Sequence, residues 1–189
     1  MKGIVFTEFQ EMVEEKFGIE TLDTIIESAD LPSGGAWTSV GTYDYQELIQ
    51  LVVNLSKETD LPVPALVNAF GHYFFKSLAG SYAEMLSGIN SAIELLANVE
   101  DYIHVEVLKL YPQAELPRFE FKQLSDNQWE IEYHSSRPFA DLAQGLIEAA
   151  ADHFGDPLQI DREDLAAKNG CAARFVITSP QRVSAPCPT

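Results

Sequence analysis

The chain has 189 residues, of which 46% are hydrophobic and 11% aromatic, so we expect one folded domain with a sizeable core. Its 29 acidic and 12 basic residues give a formal net charge of −17. That charge would repel nucleic acid phosphates and anionic lipid headgroups, which argues against nucleic acid and membrane partners. The N-terminus is an acidic amphipathic pattern, not a signal peptide, and no run of 18 apolar residues occurs. We therefore expect a cytoplasmic protein.

Hydrophobic spacing predicts a helical first half followed by mixed structure. The predicted helices span residues 3–17, 18–29, 44–60, 61–79, 90–112 and 139–155, and the predicted strands span 118–124, 129–137, 158–160 and 173–178. This order favours an α+β fold, in which a small antiparallel sheet packs against a helix. We predict a single domain over residues 1–178, with an N-terminal helical subdomain over about 1–60 and a flexible tail over 179–189.

The strand WEIEYHSSR places Trp129, Ile131, Tyr133, Ser135 and Arg137 on one face. That face begins as core and ends in two hydroxyls and a guanidinium, and buried polar groups are costly without partners. One interpretation is a fork of donors for a carboxylate or phosphate. The other is a strand end at which the arginine pairs with one of the abundant carboxylates of the chain.

The remaining polar candidates give little support for catalysis or for a metal site made by cysteines. His134 and Ser135 are adjacent, so strand alternation sends them to opposite faces. Cys171 and Cys187 have no CxxC spacing, which supports neither a disulfide framework nor a zinc site. His104 would lie at the edge of the buried face of its helix, where a histidine is more often structural than ligating.

In combination, these features resemble the haem-nitric oxide/oxygen binding (H-NOX) family, the haem domain shared by bacterial gas sensors and soluble guanylate cyclase. The similarity rests on a helical His104 followed by VEVLKLYP, then Pro117 and the strand pattern Tyr-x-Ser-x-Arg. It extends from the MKG start through AFG at 69–71 to GLIE at 145–148. The resemblance implies the H-NOX fold, no enzymatic activity, and haem b (iron protoporphyrin IX) as cofactor.

The resemblance also assigns roles to individual residues. It implies that His104 is the axial ligand to iron, that Tyr133, Ser135 and Arg137 hold the haem propionates, and that Pro117 presses on the porphyrin. The apolar slot for the macrocycle is expected to include Val5, Phe9, Phe74, Leu78, Leu142 and Leu146.

The expected ligands are nitric oxide and carbon monoxide. Oxygen-binding relatives carry a distal tyrosine, and the matching position here is Leu142. Bound nitric oxide is expected to weaken the iron bond to His104 and so to shift one part of the domain against the other. Since no kinase or cyclase segment follows, we expect the signal to reach a separate protein, a histidine kinase or a cyclic-di-GMP enzyme. Phe139 stands where some relatives have a zinc-binding cysteine, so we expect no zinc.

Two other classes of function stay open at the level of sequence. A cofactor-free adaptor domain would use the acidic surface to dock a partner, and it would be colourless. An enzyme acting on an anionic substrate held by Arg137 would need a nucleophile or a base, and the sequence offers no paired candidates for that role.

Overall fold

The computed structural model describes residues 1–180 and has the predicted α+β architecture. Its helices are α1 (Gly3–Phe17), α2 (Ile19–Glu27), α3 (Tyr45–Thr59), α4 (Val63–Ser81), α5 (Ala92–Ala97), α6 (His104–Leu110) and α7 (Ala140–Phe154). Its strands are β1 (Arg118–Ser125), β2 (Gln128–Ser135), β3 (Gln159–Leu165) and β4 (Cys171–Thr178). Among the described residues, no helix combines the length and the apolar character that a membrane crossing requires.

The prediction of one continuous helix over residues 90–112 is wrong. Ser91 caps α5, since its hydroxyl accepts a hydrogen bond from the amide of Glu94. After α5 the backbone widens into a π-helical turn, Val99–Ile103, in which the amide of Ile103 donates to the carbonyl of Asn98 at 3.1 Å. His104 then begins α6. Such turns often occur at functional sites, and hydrophobic spacing alone does not reveal them.

The four strands form one antiparallel sheet in the order β1-β2-β4-β3. Tyr133 of β2 lies between Phe119 of β1 and Ala173 of β4. Trp129, Ile131 and Tyr133 are all buried, which confirms the predicted apolar face of this strand. The face packs on α7, and the exposed His134 points away from it, as strand alternation requires.

Helices α4 and α7 pack so closely that their backbones touch. A β-carbon on Gly71 would lie 2.6 Å from the carbonyl oxygen of Leu142, and one on Gly145 would lie 2.1 Å from that of Asn68. Only glycine fits these two positions without displacing the helices. The AFG and GLIE segments therefore meet at one helix crossing, which holds the N-terminal helices against the C-terminal half.

The end of the described chain is anchored. Ser179 is buried, and its amide donates to the carbonyl of Asn127 at 2.9 Å. Ser179, the first residue of the predicted tail, is therefore part of the folded domain. Residues 181–189, including Cys187, lie outside the described residues.

Candidate cofactor-binding site

A cavity of about 340 Å³ is lined by residues of helices α1, α4, α5, α6 and α7 and of strand β2. Its wall is mainly carbon, and its volume is within the usual range for small-molecule sites, roughly 300–1,000 Å³. Apolar lining residues come from each of these helices, including Val5, Phe74, Leu78, Val107, Leu142 and Leu146. A small set of polar side chains interrupts this wall, and those side chains determine what the cavity can bind.

His104 lines the cavity from the first turn of α6. Its side chain is only 14% exposed, and Nδ1 lies 3.3 Å from Oε1 of Glu100. Burial lowers the pKa of His104, and the nearby carboxylate of Glu100 opposes that effect only in part. The imidazole is therefore mostly neutral at pH 7, which is the form that binds a metal ion.

Tyr133 and Ser135 line the same cavity from the end of β2. Tyr133 is 3% exposed, and burial raises the pKa of its phenol to about 12, so the hydroxyl keeps its proton and can donate a hydrogen bond. Ser135 is half-buried, and its oxygen accepts a hydrogen bond from the amide of Arg137 at 3.1 Å. This bond ends the strand and fixes the backbone that carries the arginine.

Arg137 reaches the rim of the cavity two residues beyond β2. Its guanidinium is 14% exposed and pairs with the carboxylate of Glu115. It also donates to the carbonyl oxygen of Glu115 at 3.1 Å. The carboxylate of Glu115 is mostly exposed, at 75%, so an anionic group from a ligand could replace it with little disruption. Pairing with a carboxylate of the chain and binding of a ligand carboxylate therefore require the same geometry, in which the guanidinium of Arg137 faces a carboxylate at the rim of the cavity.

The other predicted slot residues divide into two groups. Val5, Phe74, Leu78, Leu142, Leu146 and Pro117 all line the cavity. Phe9 does not, because it lies one turn further along α1 than Val5 and is fully buried in the N-terminal core. Its ring meets Phe70 at 5.3 Å, and Phe70 stacks on Phe74 at 5.5 Å. Phe9 therefore supports the cavity wall from behind.

Sequence reasoning missed three polar contributors to the site, which are Glu115, Tyr111 and Glu100. Glu115 lies in a loop, and no sequence pattern links it to Arg137. Tyr82 and Tyr111 both line the cavity, and their hydroxyl oxygens are 3.3 Å apart. Glu100 contacts His104 at a spacing of four residues, a spacing at which helical side chains meet. That spacing is visible in the sequence and is the signal that could have identified Glu100.

The residues present fit a haem group. A flat apolar macrocycle with an anionic edge needs a carbon-lined slot closed by donors, and a neutral imidazole nitrogen is one of the protein ligands that hold its iron. The cavity supplies the carbon-lined wall, the guanidinium of Arg137 on its rim and the imidazole of His104 within. Among residues 1–180, no three His, Cys, Asp or Glu side chains cluster in a way that would hold a separate metal ion.

Comparison with known proteins agrees with this geometry. The family model Haem-NO-binding matches residues 2–162. The Fe(II) unliganded H-NOX protein from K. algicida is 38% identical, with a TM-score of 0.89, and the match covers 97% of this chain and 99% of that one. The IWP-051-bound H-NOX from Shewanella woodyi in the Fe(II)CO state is 43% identical, with a TM-score of 0.81 and 97% of both chains covered.

A third solved structure, an H-NOX protein from S. oneidensis in the Fe(II)NO state, is 28% identical with a TM-score of 0.87. The match covers 96% of this chain and all of that chain, 100%. A search of curated proteins found no match. Because the family model spans most of the sequence and the fold agrees over nearly its whole length, the chain belongs to the haem-NO-binding (H-NOX) family.

Proposed function

We propose that the chain is a bacterial, cytoplasmic haem sensor for nitric oxide, with haem b in the cavity and His104 as the axial ligand to iron. One observation carries the proposal. A neutral imidazole and a carboxylate-binding guanidinium face the same carbon-lined cavity. Ferrous haem supplies the iron atom at which a small gas molecule binds. H-NOX domains are sensors, not enzymes, so binding itself is the function.

Each polar residue of the site has a separate task in this proposal. Tyr133 and Ser135 offer hydroxyls to the haem propionates, and Arg137 exchanges its carboxylate partner Glu115 for a propionate. Both Pro117 and Leu146 line the cavity; Pro117 would press on the macrocycle, and Leu146 would form part of its apolar slot. The apolar wall excludes water, which strengthens the charge-assisted contacts at the rim.

The proposed signal begins at His104. With haem bound, His104 would hold the iron, and binding of nitric oxide to that iron would weaken the link to His104. Because α1, α4 and α6 all line the cavity, a change in that link would bias their relative position. The proposal places the output in a separate effector, a histidine kinase or a cyclic-di-GMP enzyme, and this part rests on the family resemblance.

One spectroscopic experiment tests the core of the proposal. The protein is expressed with haem supplied, reduced without air, and its visible absorption is recorded before and after addition of nitric oxide and, separately, carbon monoxide. We expect about one haem per chain and a shift of the Soret band with each gas. A colourless protein would reject the sensor and favour the cofactor-free adaptor.

A further inference from the structure

Glu100 and His104 make a contact that the haem-binding motif does not account for. Glu100 lies in the π-helical turn Val99–Ile103, four residues before His104, and His104 directly follows this turn. Oε1 of Glu100 lies 3.3 Å from Nδ1 of His104. The side chain of His104 is largely buried, at 14% exposure, and that of Glu100 is partly buried, at 39%. An ion pair or hydrogen bond at such a site is screened less than one on the open surface.

A second contact fixes the same carboxylate oxygen. The amide of Phe119 in β1 donates to Oε1 of Glu100 at 2.6 Å. The ring of Phe119 also lies against the imidazole, with 5.7 Å between ring centroids. Strand β1 therefore holds Glu100 in place, and the carboxylate does not have to be ordered again when His104 binds a ligand. A carboxylate fixed in advance loses less side-chain entropy in each contact that it makes.

We propose that Glu100 is a positioning residue for His104, whose Nδ1–H donates a hydrogen bond to the Glu100 carboxylate. That bond selects the tautomer in which Nε2 carries the lone pair, the nitrogen available to iron. Metal-binding histidines commonly donate their other ring N–H to a carboxylate, which orients the ring and raises its basicity. The inference rests on the proposed function of His104 as axial ligand. It adds that Glu100 determines how strongly His104 binds iron.

The expected consequence is a stronger bond between His104 and iron. A carboxylate that accepts from Nδ1–H increases the electron density at Nε2, so it stabilises ferric over ferrous haem and lowers the reduction potential. It also opposes release of His104 when nitric oxide binds on the other side. Glu100 would thus set how readily the sensor switches, without touching the haem or the gas.

Resonance Raman spectroscopy of the ferrous, unliganded protein tests this directly. We expect the iron–histidine stretching band to move to lower frequency and the reduction potential to rise in the order wild type, Glu100→Gln, Glu100→Ala. Haem loss from Glu100→Ala should be about ten- to a hundredfold faster. Glu106→Gln is the matched control, because Glu106 lies on α6 together with His104 but pairs with Lys109; it should leave all three quantities unchanged.

A purely structural role for Glu100 makes a different prediction. Losing the contact with the Phe119 amide would lower the unfolding temperature, yet the folded, haem-bound fraction would keep the wild-type stretching frequency and reduction potential. An unchanged frequency in Glu100→Ala would therefore overturn the proposal.

A measurement on the haem-free protein separates this inference from the proposed function. Imidazole ¹⁵N chemical shifts at neutral pH should show the proton of His104 on Nδ1 in the wild type and mainly on Nε2 in Glu100→Ala. If the haem-free protein shows this change but binds no haem, the contact is right and the proposed function is wrong. If the tautomer is the same in both proteins, the inference is wrong whatever the haem content.

Discussion

Gly71 of α4 and Gly145 of α7 meet backbone to backbone: a β-carbon on Gly71 would lie 2.8 Å from Cα of Gly145. Both helices also line the cavity, through Phe74 and Leu78 of α4 and through Leu142 and Leu146 of α7. The distance between the helices at this crossing therefore affects the shape of the cavity. A change of helix distance at the glycines would change the site without altering any residue that faces it.

Gly145→Ala should destabilise the protein and reduce its haem occupancy. The new methyl group would lie 2.1 Å from the backbone carbonyl oxygen of Asn68, which cannot move without its helix. Overpacking of this kind typically costs about 1–3 kcal/mol, which exceeds the gain in helix propensity from glycine to alanine, roughly 1 kcal/mol. Thermal unfolding and the haem-to-protein ratio measure the two effects. Gly80→Ala is the control, since a methyl group there meets nothing within 4 Å, and its unfolding temperature should not fall.

Glu148 should make the stability of the haem-free protein depend on pH in the acid range. Burial alone would raise its pKa, but hydrogen bonds from Asn68, Gln144 and His72 outweigh burial and hold the pKa below its usual value of 4.5. The contribution of Glu148 to the free energy of unfolding is therefore complete above about pH 4.5. It is lost as the pH falls through the lower pKa that Glu148 has in the folded protein. Urea unfolding between pH 3 and pH 7 should show a shallower acid decline for Glu148→Gln. Glu58→Gln, at an exposed position of α3, should keep the wild-type slope.

Changing His104→Gly should leave haem bound only when free imidazole is supplied. The prediction follows from the position of His104 in the cavity wall, where an imidazole from solution could take the place of the missing side chain. The absorption spectrum of the ferrous protein with and without imidazole measures it. A wild-type spectrum without imidazole would mean that another group binds the iron.

Arg137→Ala should lower haem affinity. Loss of a charge-assisted hydrogen bond typically costs about 1.5–3 kcal/mol, or about ten- to a hundredfold in affinity. Lysine at this position should restore only part of the loss, because it lacks the planar fork. Titration under limiting haem gives the affinities, with Arg118→Ala as the control, since exposed Arg118 pairs with Glu120 at 3.0 Å on the outer edge of the sheet. Equal affinity in the wild type and Arg137→Ala would exclude the propionate role.

The reduced protein should bind nitric oxide and carbon monoxide but form no stable oxygen complex in air. Leu142, Phe74 and Leu78 present only carbon to the cavity, and bound oxygen is held better when a hydrogen-bond donor faces it. Two tyrosines of this region, Tyr73 and Tyr82, could in principle supply a donor. Tyr73 is not among the residues that line the cavity, and the hydroxyl of Tyr82 already pairs with that of Tyr111 at 3.3 Å. That bond, followed by burial, raises the pKa of Tyr111 to about 12.

Mixing the reduced protein with air-saturated buffer checks this ligand preference. We expect oxidation without a persistent oxygenated spectrum, and the same result for Tyr82→Phe. A persistent oxygenated spectrum in the wild type that disappears in Tyr82→Phe would show that this tyrosine turns toward the gas. With nitric oxide, the wild type should end five-coordinate with His104 released.

Local patterns in the sequence determined most of the elements and one face of the site. Alternation along β2 identified the buried face that carries Tyr133, and the helical spacing of α1 and α7 gave bounds within a few residues of those observed. These features depend on neighbours two to four residues apart, so a single sequence is sufficient to predict them. The roles expected of His104 and Arg137 came instead from the resemblance to a known family, because local spacing left both residues open to a structural interpretation.

Only the tertiary structure decided which segments cover one another. The predicted helix over residues 90–112 is interrupted at Asn98, and Phe9 lies behind the cavity wall. Glu115, which lies in a loop, pairs with Arg137. The tertiary structure also joined α4 to α7 through two glycines. A hydrophobic pattern states which face of an element is buried, but the partner of that face depends on long-range packing, which a local pattern does not encode.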